Sequence, residues 1–275
     1  VKPPKQIDVI DNHKGFTALT KSNTHVKIVM GKNGEREAVR SDYNPTLTLP
    51  FIRWQKVRRE SNTGWQTAEG VEKMSKRNLP IIAAQNSKLG KIPNVSTIPG
   101  ADCLRGVPCA KISECYAMKF FNMYPNVRNA WRHNSQLAHK KPETFFNGIR
   151  VYVDKKRPRF FRWHVAGDIL DQSYLNSMKS IAVEFPETKF LAFTKRYEFD
   201  YSNLPSNLSI VFSAWVEKPL PEEMPKDIHI AWVRDAHHLD NRIPKTAIEC
   251  PGFCESCGMC WNLKTIKRDV VFHKH

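Results

Sequence analysis

The sequence predicts an α/β fold: a partial (βα) barrel or open parallel sheet, with a Cys-rich metal-binding segment at the C-terminus. Three observations lead there. From residue 116 onward, strand-like runs alternate with helix-like runs, which implies parallel βα units. The 275 residues are 41% hydrophobic and 25% charged, which supplies a core. A closed eightfold barrel needs about 250 residues, so a partial barrel or open sheet suits the length better. All seven cysteines fall into two clusters, and the second lies within residues 250–275. The chain thus divides into three parts: a strand- and loop-rich extension over 1–78, an α/β core with a three-cysteine loop over 79–249, and the Cys-rich segment over 250–275.

In the first part, Val26-Lys27-Ile28-Val29-Met30 alternates like a strand, and Gly31-Lys32-Asn33-Gly34 reads as a turn. Pro45 and Pro50 punctuate the stretch after it. Leu79 to Ala84 reads as a buried strand, and Ser87 to Gly100 as a Gly- and Pro-containing loop. Tyr116 to Met123 reads as a helix interrupted at Pro125, and Asn126 to Lys140 as a second. Pro142 suits the first position of a third, continuing from Glu143 to Val153. Phe160 to Val165 is a strand. Asp171 is a candidate N-cap for a helix from Gln172 to Phe185, whose Leu175, Met178, Ile181 and Ala182 share a face. Lys189 to Phe193, Leu208 to Ser213 and Ile228 to Val233 complete the strands, and Val270 to His275 can return as one more.

No run approaches the roughly 18 apolar residues of a membrane helix, so no membrane partner is expected. Val1-Lys2-Pro3-Pro4 carries no apolar stretch of the kind that makes a signal peptide. An odd number of cysteines without an export signal points to reduced thiols or metal ligands and to a cytoplasmic protein. The formal net charge is +16, and residues 103–163 hold 13 basic against 3 acidic side chains. Such a dense positive stretch predicts a polyanionic partner, DNA or RNA. Arg128, Arg132, Lys140, Lys141, Lys155, Lys156, Arg157 and Arg159 are the candidate phosphate contacts. Phe120, Phe121, Tyr124, Trp131, Phe145 and Phe146 are interleaved with them, and their helical spacing assigns many of them to the core. No protein partner is indicated.

The C-terminal cluster reads Cys250-x3-Cys254-x2-Cys257-x2-Cys260. Short spacings let turns aim four thiolates at one centre, which satisfies a zinc ion or a 4Fe-4S cluster equally. A variant set replaces one cysteine by His273 or His275. The first cluster, Cys103-x5-Cys109-x5-Cys115, has three thiolates and leaves one iron of a cubane open to a substrate or cofactor. A zinc-stabilised loop with His133 or His164 as fourth ligand is the simpler possibility for it. Cys115 followed at once by Tyr116 and a helix is similar to the cluster loop of radical S-adenosylmethionine enzymes.

In parallel α/β proteins, ligands bind beyond the C-terminal ends of the strands. Three consecutive strands end in polar groups: Asp168 after the first, which carries His164 near its end, Thr194, Lys195 and Arg196 after the second, and Ser213 at the end of the third. Asp168, Thr194 and Lys195 are the candidate catalytic or positioning residues. Tyr116, His164 and Ser213, together with the three cysteines, are the candidates for contacting a cofactor. Lys195 and Arg196 could clamp a carboxylate or phosphate.

Cys115-Tyr116-Ala117, the run Phe161 to Asp168, Phe193-Thr194-Lys195-Arg196 and the terminal cysteines, in this order, resemble the phage gene product 88 family over roughly residues 80–275. The layout is also similar to a phage group with a three-cysteine loop, a Gly-Asp strand end and a Thr-Lys-Arg strand end. The resemblance implies a phage or prophage protein in a bacterial cytoplasm and a radical S-adenosylmethionine-like partial barrel; it supplies no substrate. The leading expectation is an iron–sulfur enzyme of that type acting on nucleic acid or a nucleotide, with S-adenosylmethionine as cofactor. Two alternatives stand beside it. One is a zinc-containing base-exchange enzyme similar to tRNA-guanine transglycosylases, using Asp168. The other is a zinc-stabilised nucleic-acid-binding protein without catalysis.

Overall fold

The computed structural model describes residues 15–19, 25–30, 36–40, 54–59, 62–67, 78–107, 109, 115–215, 219–234 and 241–273. The chain divides into two compact units, Val1–Ser75 and Lys76–His275. The first holds two small antiparallel sheets. β1 (Gly15–Leu19), β2 (His25–Met30) and β3 (Arg36–Arg40) form a three-stranded meander, and β4 (Trp54–Arg59) pairs with β5 (Asn62–Thr67). The predicted strand Val26–Met30 lies within β2. The turn expected at Gly31–Gly34 and both Pro45 and Pro50 lie outside the described residues.

The second unit is built on one seven-stranded parallel sheet. Its strands are β6 (Asn94–Val95), β7 (Phe160–Trp163), β8 (Lys189–Thr194), β9 (Leu208–Ser213), β10 (His229–Arg234), β11 (Ile248–Glu249) and β12 (Val270–His273). The order across the sheet is β11-β12-β10-β9-β8-β7-β6, with β11 and β6 as its outermost strands. The α/β class and the open parallel sheet therefore hold, and the sheet does not close into a barrel. Among the described residues no helix is long and apolar enough to cross a membrane.

The helices follow local chemistry. α1 (Tyr116–Met123) ends at Tyr124 because Pro125 opens α2 (Pro125–Lys140). Pro142 likewise opens α3 (Pro142–Lys156), which closes on Arg157 in the left-handed region at φ 44°. The expected N-cap of α4 (Gln172–Glu184) is present: the Asp171 carboxylate accepts from Tyr174 N–H at 2.8 Å.

Two expectations need correction. Leu79 to Ala84 is an irregular segment with one bridge, Ala83 to Asn94, and Ile81 is exposed. Pro80 has no N–H to donate, and the Asn134 side chain of α2 serves the backbone of Ile81 instead. It accepts from Ile81 N at 2.7 Å and donates to Ile81 O at 2.9 Å. The strand expected over Phe160–Val165 stops at Trp163, because His164 adopts φ 52° and turns the chain out of the sheet.

Alternation along the strands sorts the two faces of the sheet. Phe161, Trp163, Phe190, Ile210 and Phe212 point to α2, α3 and α4 and form the main core with Phe145, Ile149, Leu175, Met178 and Ile181. Phe160, Leu191, Val211, Ala231 and Val270 point to the opposite face. Among the described residues no long helix covers that face. The C-terminal segment does, through Trp261, Leu263 and the partly buried Cys250, Cys254 and Cys260. That segment contains α5 (Cys254–Cys257), a 3-10 turn over Met259–Asn262 and α6 (Leu263–Ile266) before β12 returns to the sheet.

Asp269 ties the last strand to the rest. Burial pushes its carboxyl up, but the nearby His229 ring (3.8 Å) and hydrogen bonds from Ile230 N–H (2.9 Å) and Trp232 Nε1–H (2.9 Å) outweigh that and leave it below the ordinary value. A lowered carboxyl contributes stability above its unfolded value near 3.8, and that stability is lost as pH falls through the lower folded value. Asp269→Asn is expected to lower stability at neutral pH by about 1.5–3 kcal/mol. In denaturant titrations the deficit should shrink as the pH drops below about 4. A deficit independent of pH would refute the charge argument.

Candidate functional site

The site begins where β7 ends. After His164 the chain runs along the C-terminal edge of the sheet as Val165 to Leu170. Ser96 and Thr97, directly beyond β6, hold this loop. Ser96 Oγ accepts from Val165 N (3.2 Å) and Ala166 N (3.3 Å), and Thr97 N donates to Ala166 O at 3.1 Å. Gly167 sits at φ 79° with a Cβ position that the Thr97 side chain already fills, so only glycine fits there. Gly167→Ala is expected to destabilise the protein by about 1–3 kcal/mol and to disorder this loop, read as a lowered melting temperature.

Asp168 is buried at the centre of this edge. Its Oδ1 accepts from Ile169 N at 2.8 Å and its Oδ2 from Lys195 N at 3.0 Å. Burial pushes its carboxyl up, opposed by Thr194, by the two N–H donors and by the Lys195 charge. Thr194 is buried, and its Oγ1 accepts from Arg196 N at 2.9 Å. The Lys195 charge acts on the Cys109 thiol, and its ammonium lies 5.5 Å from the Trp215 ring centre. Arg196 is not a free anion clamp: it donates to Ile169 O (3.2 Å) and Leu170 O (3.0 Å) and pairs with Glu198 at 3.2 Å. It therefore positions the Asp168 loop from the next strand. Ser213 ends β9 on the same edge, where its carbonyl accepts from Tyr197 OH at 2.5 Å.

The three-cysteine loop arrives at this edge. Asp102 organises its start, accepting from Ile98 N at 2.8 Å and pairing with His139 Nε2 at 2.8 Å. Cys103 Sγ accepts from Gly100 N at 3.4 Å. Burial pushes the Cys103 thiol up to about 12, with Asp168, Cys109 and Cys115 close enough to add to the rise. Burial also raises Cys109, where the Lys195 charge opposes it. Tyr116, the first residue of α1, donates from its hydroxyl to Val165 O at 2.6 Å and so pins the helix to the loop after β7. Residues 108 and 110–114 of the loop lie outside the described residues.

His164 is buried with its ring 5.3 Å from that of Tyr174, on the helix-covered side. Burial pushes its pKa down to about 4, so it is neutral at pH 7. His133 donates from its ring Nε2 to Leu79 O at 2.8 Å.

The second cysteine set lies on the other face. Cys250, Cys254, Cys257 and Cys260 line one small cavity of about 20 Å³, walled by Phe253, Gly258, Trp261 and Val270. Burial pushes the Cys260 thiol up to about 12 and raises Cys254. His273 does not line this cavity; it pairs with Glu249 at 3.1 Å, and His275 lies outside the described residues. All seven thiols are free of disulfides. Among the described residues, no three His, Cys, Asp or Glu side chains stand close enough to hold a metal ion as placed.

Arg162 is the residue that sequence reasoning missed. It projects from β7 toward the second cysteine set, over the Phe193 ring at 4.1 Å. It donates to Trp163 O at 3.0 Å. Its charge acts on Cys254 and Cys260 and, across the sheet edge, on Tyr116. Alternation in Phe160-Phe161-Arg162-Trp163 placed it opposite the aromatic core, which was the available signal.

The eight basic candidates do not form one surface. Arg128 donates to Phe121 O and Asn122 O and fixes the α1–α2 joint. Arg132, Lys140 and Lys141 are exposed on α2 and at its end. Lys155, Lys156, Arg157 and Arg159 lie between the end of α3 and the start of β7, at the opposite end of that strand from Asp168. Arg157 pairs with Asp154 at 3.4 Å, and Arg159 lies over Phe160.

These positions fall within a stretch shared with phage proteins. The profile of the family described as Gene product 88 matches residues 65–263, which include every cysteine and the whole strand-end site. The chain belongs to the gene product 88 family. Two relatives are the Gene 88 proteins of Mycobacterium phages D29 and L5. The first is 25% identical over 182 residues, covering 56% of this chain and 75% of the relative. The second is 25% identical over 191 residues, covering 60% and 78%. No solved structure matches the chain significantly.

Proposed function

We propose that this gene product 88 family member is an iron–sulfur enzyme of radical S-adenosylmethionine type acting on nucleic acid, with a closed structural metal site at its C-terminus. One observation carries the reading: the loop holding Cys103, Cys109 and Cys115 leaves after β6 and meets Asp168 and Lys195 at the ends of β7 and β8. Three thiols fit three irons of a four-iron cluster, so the donor chemistry suits an open site. When bound, such a cluster supplies an electron to the sulfonium of S-adenosylmethionine.

The chain's own residues supply the rest. Asp168 locks the ends of β7 and β8 together, and Arg196 braces its loop. Lys195 offers a cation beside Cys109, suited to a carboxylate or phosphate of a bound molecule. The base-exchange reading needs Asp168 as an attacking group. Its burial and its two occupied oxygens suit positioning better. At the C-terminal cavity four cysteines within eleven residues suit a single ion bound by four thiolates, and zinc is the proposed occupant.

The test is anaerobic reconstitution of the full chain, reduction and incubation with S-adenosylmethionine. Release of 5′-deoxyadenosine is the expected result. A protein that binds iron and sulfide but never cleaves the cofactor would contradict the reading.

A further inference from the structure

We propose that α1 is a stacking platform for unpaired nucleic acid, set at the mouth of the three-cysteine loop. The proposal rests on the nucleic-acid part of the reading above and assigns it a surface. α1 starts one residue after Cys115. Tyr116, Phe120, Met123 and Tyr124 are 51%, 43%, 53% and 46% exposed. Their spacing puts them in one stripe along the helix and its last turn. The core does not need this stripe, because α1 buries Ala117 and Phe121 along an adjacent side. Single exposed apolar residues are ordinary; four in a row beside a candidate reactive site are not. The rings of Phe120 and Tyr124 lie nearly parallel, 17° apart with centres at 5.9 Å.

Charge selects the occupant. Between Cys115 and Pro142 there is no acidic residue, and Lys119 on α1 and Arg132 on α2 are exposed cations. Arg132 is exposed on α2 and lies over Phe121, which stacks on Trp131. A partner for this face must be anionic and must present flat apolar surfaces. Unpaired DNA or RNA does both, with phosphates for the cations and free base faces for the rings. A duplex offers the phosphates but keeps its bases stacked inside. Tyr116 is pinned to the loop after β7, so a strand lying along α1 is led toward Asp168 and Lys195.

The test measures fluorescence anisotropy of a short labelled single strand of mixed sequence, and of its duplex, with the full chain. The single strand is expected to bind about tenfold or more tightly than the duplex. Phe120→Ala with Tyr124→Ala is expected to weaken single-strand binding about tenfold or more, from the stacking lost per ring. The salt dependence should change little, because the cations remain. Arg132→Gln should instead reduce the salt slope by about 1. Phe120→Trp should keep the affinity. Phe120→Leu, which retains apolar bulk without a ring, gives the same readout if the double variant misfolds. Unchanged affinity in the ring-deleted proteins, or equal binding of duplex and single strand, overturns the proposal. So does a loss of self-association in those variants without a selective effect on single strands, which would make the face a contact between copies. Iron and sulfide content is measured on the same samples. Failure of the platform with iron retained leaves the cluster reading intact, and strand binding by an iron-free protein does the reverse.

Discussion

Cys109→Ala is expected to abolish iron and sulfide binding at the three-cysteine loop and to reduce cofactor cleavage to background. Cys109 stands next to Lys195 and within electrostatic reach of Cys115 and Asp168, so it is the thiol most deeply tied to the strand-end site. A loop with only three protein thiols has none in reserve, since each must cover one iron. Cys103→Ala and Cys115→Ala should behave alike. The visible absorption of the reconstituted protein, near about 400 nm, should disappear in each of the three. The fold should persist, because none of these side chains belongs to the main core. Zinc bound at the C-terminal cysteines, as proposed, should persist as well, because those four thiols lie in a separate cavity. Retention of iron and sulfide by all three variants would show that the cluster sits elsewhere.

The largest stability effect is expected from Trp261→Ala. Trp261 is buried on the face of the sheet opposite α2, α3 and α4. Its Nε1–H donates to Phe161 O at 3.0 Å, its carbonyl accepts from Ser209 Oγ at 3.2 Å, and its ring packs on Phe160 with centres 5.1 Å apart. Gly258 comes against the same Phe160 ring at φ 61°, which fixes the turn between Cys257 and Cys260. Truncating a buried Trp costs about 3–5 kcal/mol. For a unit of this size that lowers the melting temperature by roughly 10 °C. The same loss should release metal from the four-cysteine cavity, since Trp261 forms part of its wall. A melting temperature within a degree or two of the parent would mean that the segment does not hold this face.

Much of the second unit was legible in the sequence because its signals are local. Pro125 and Pro142 mark helix starts, Asp171 is the cap it promised, and the strands β8, β9 and β10 fall within one residue of their expected limits. The misses share a physical cause: each depends on partners distant in sequence. β6 is two residues long, too short to show alternation, yet it carries Ser96 and Thr97 to the loop after β7. The Leu79–Ala84 run has strand composition, but Asn134 occupies the bonds that a neighbouring strand would need. Arg162 reads as one more cation in a basic stretch, and only the pairing of β7 with β8 reveals that it lies over Phe193. The basic stretch itself looked continuous in sequence and is divided by the sheet, with Lys155 to Arg159 at one end of β7 and the cysteine loop at the other.

Metal and acid-labile sulfide analysis of the full chain, reconstituted and purified without oxygen, tests the open-cluster proposal most directly. The expected result is about four iron and four sulfide per chain, lost with Cys103, Cys109 or Cys115, together with about one zinc lost with Cys257. Zinc alone, with neither iron nor sulfide, would contradict it.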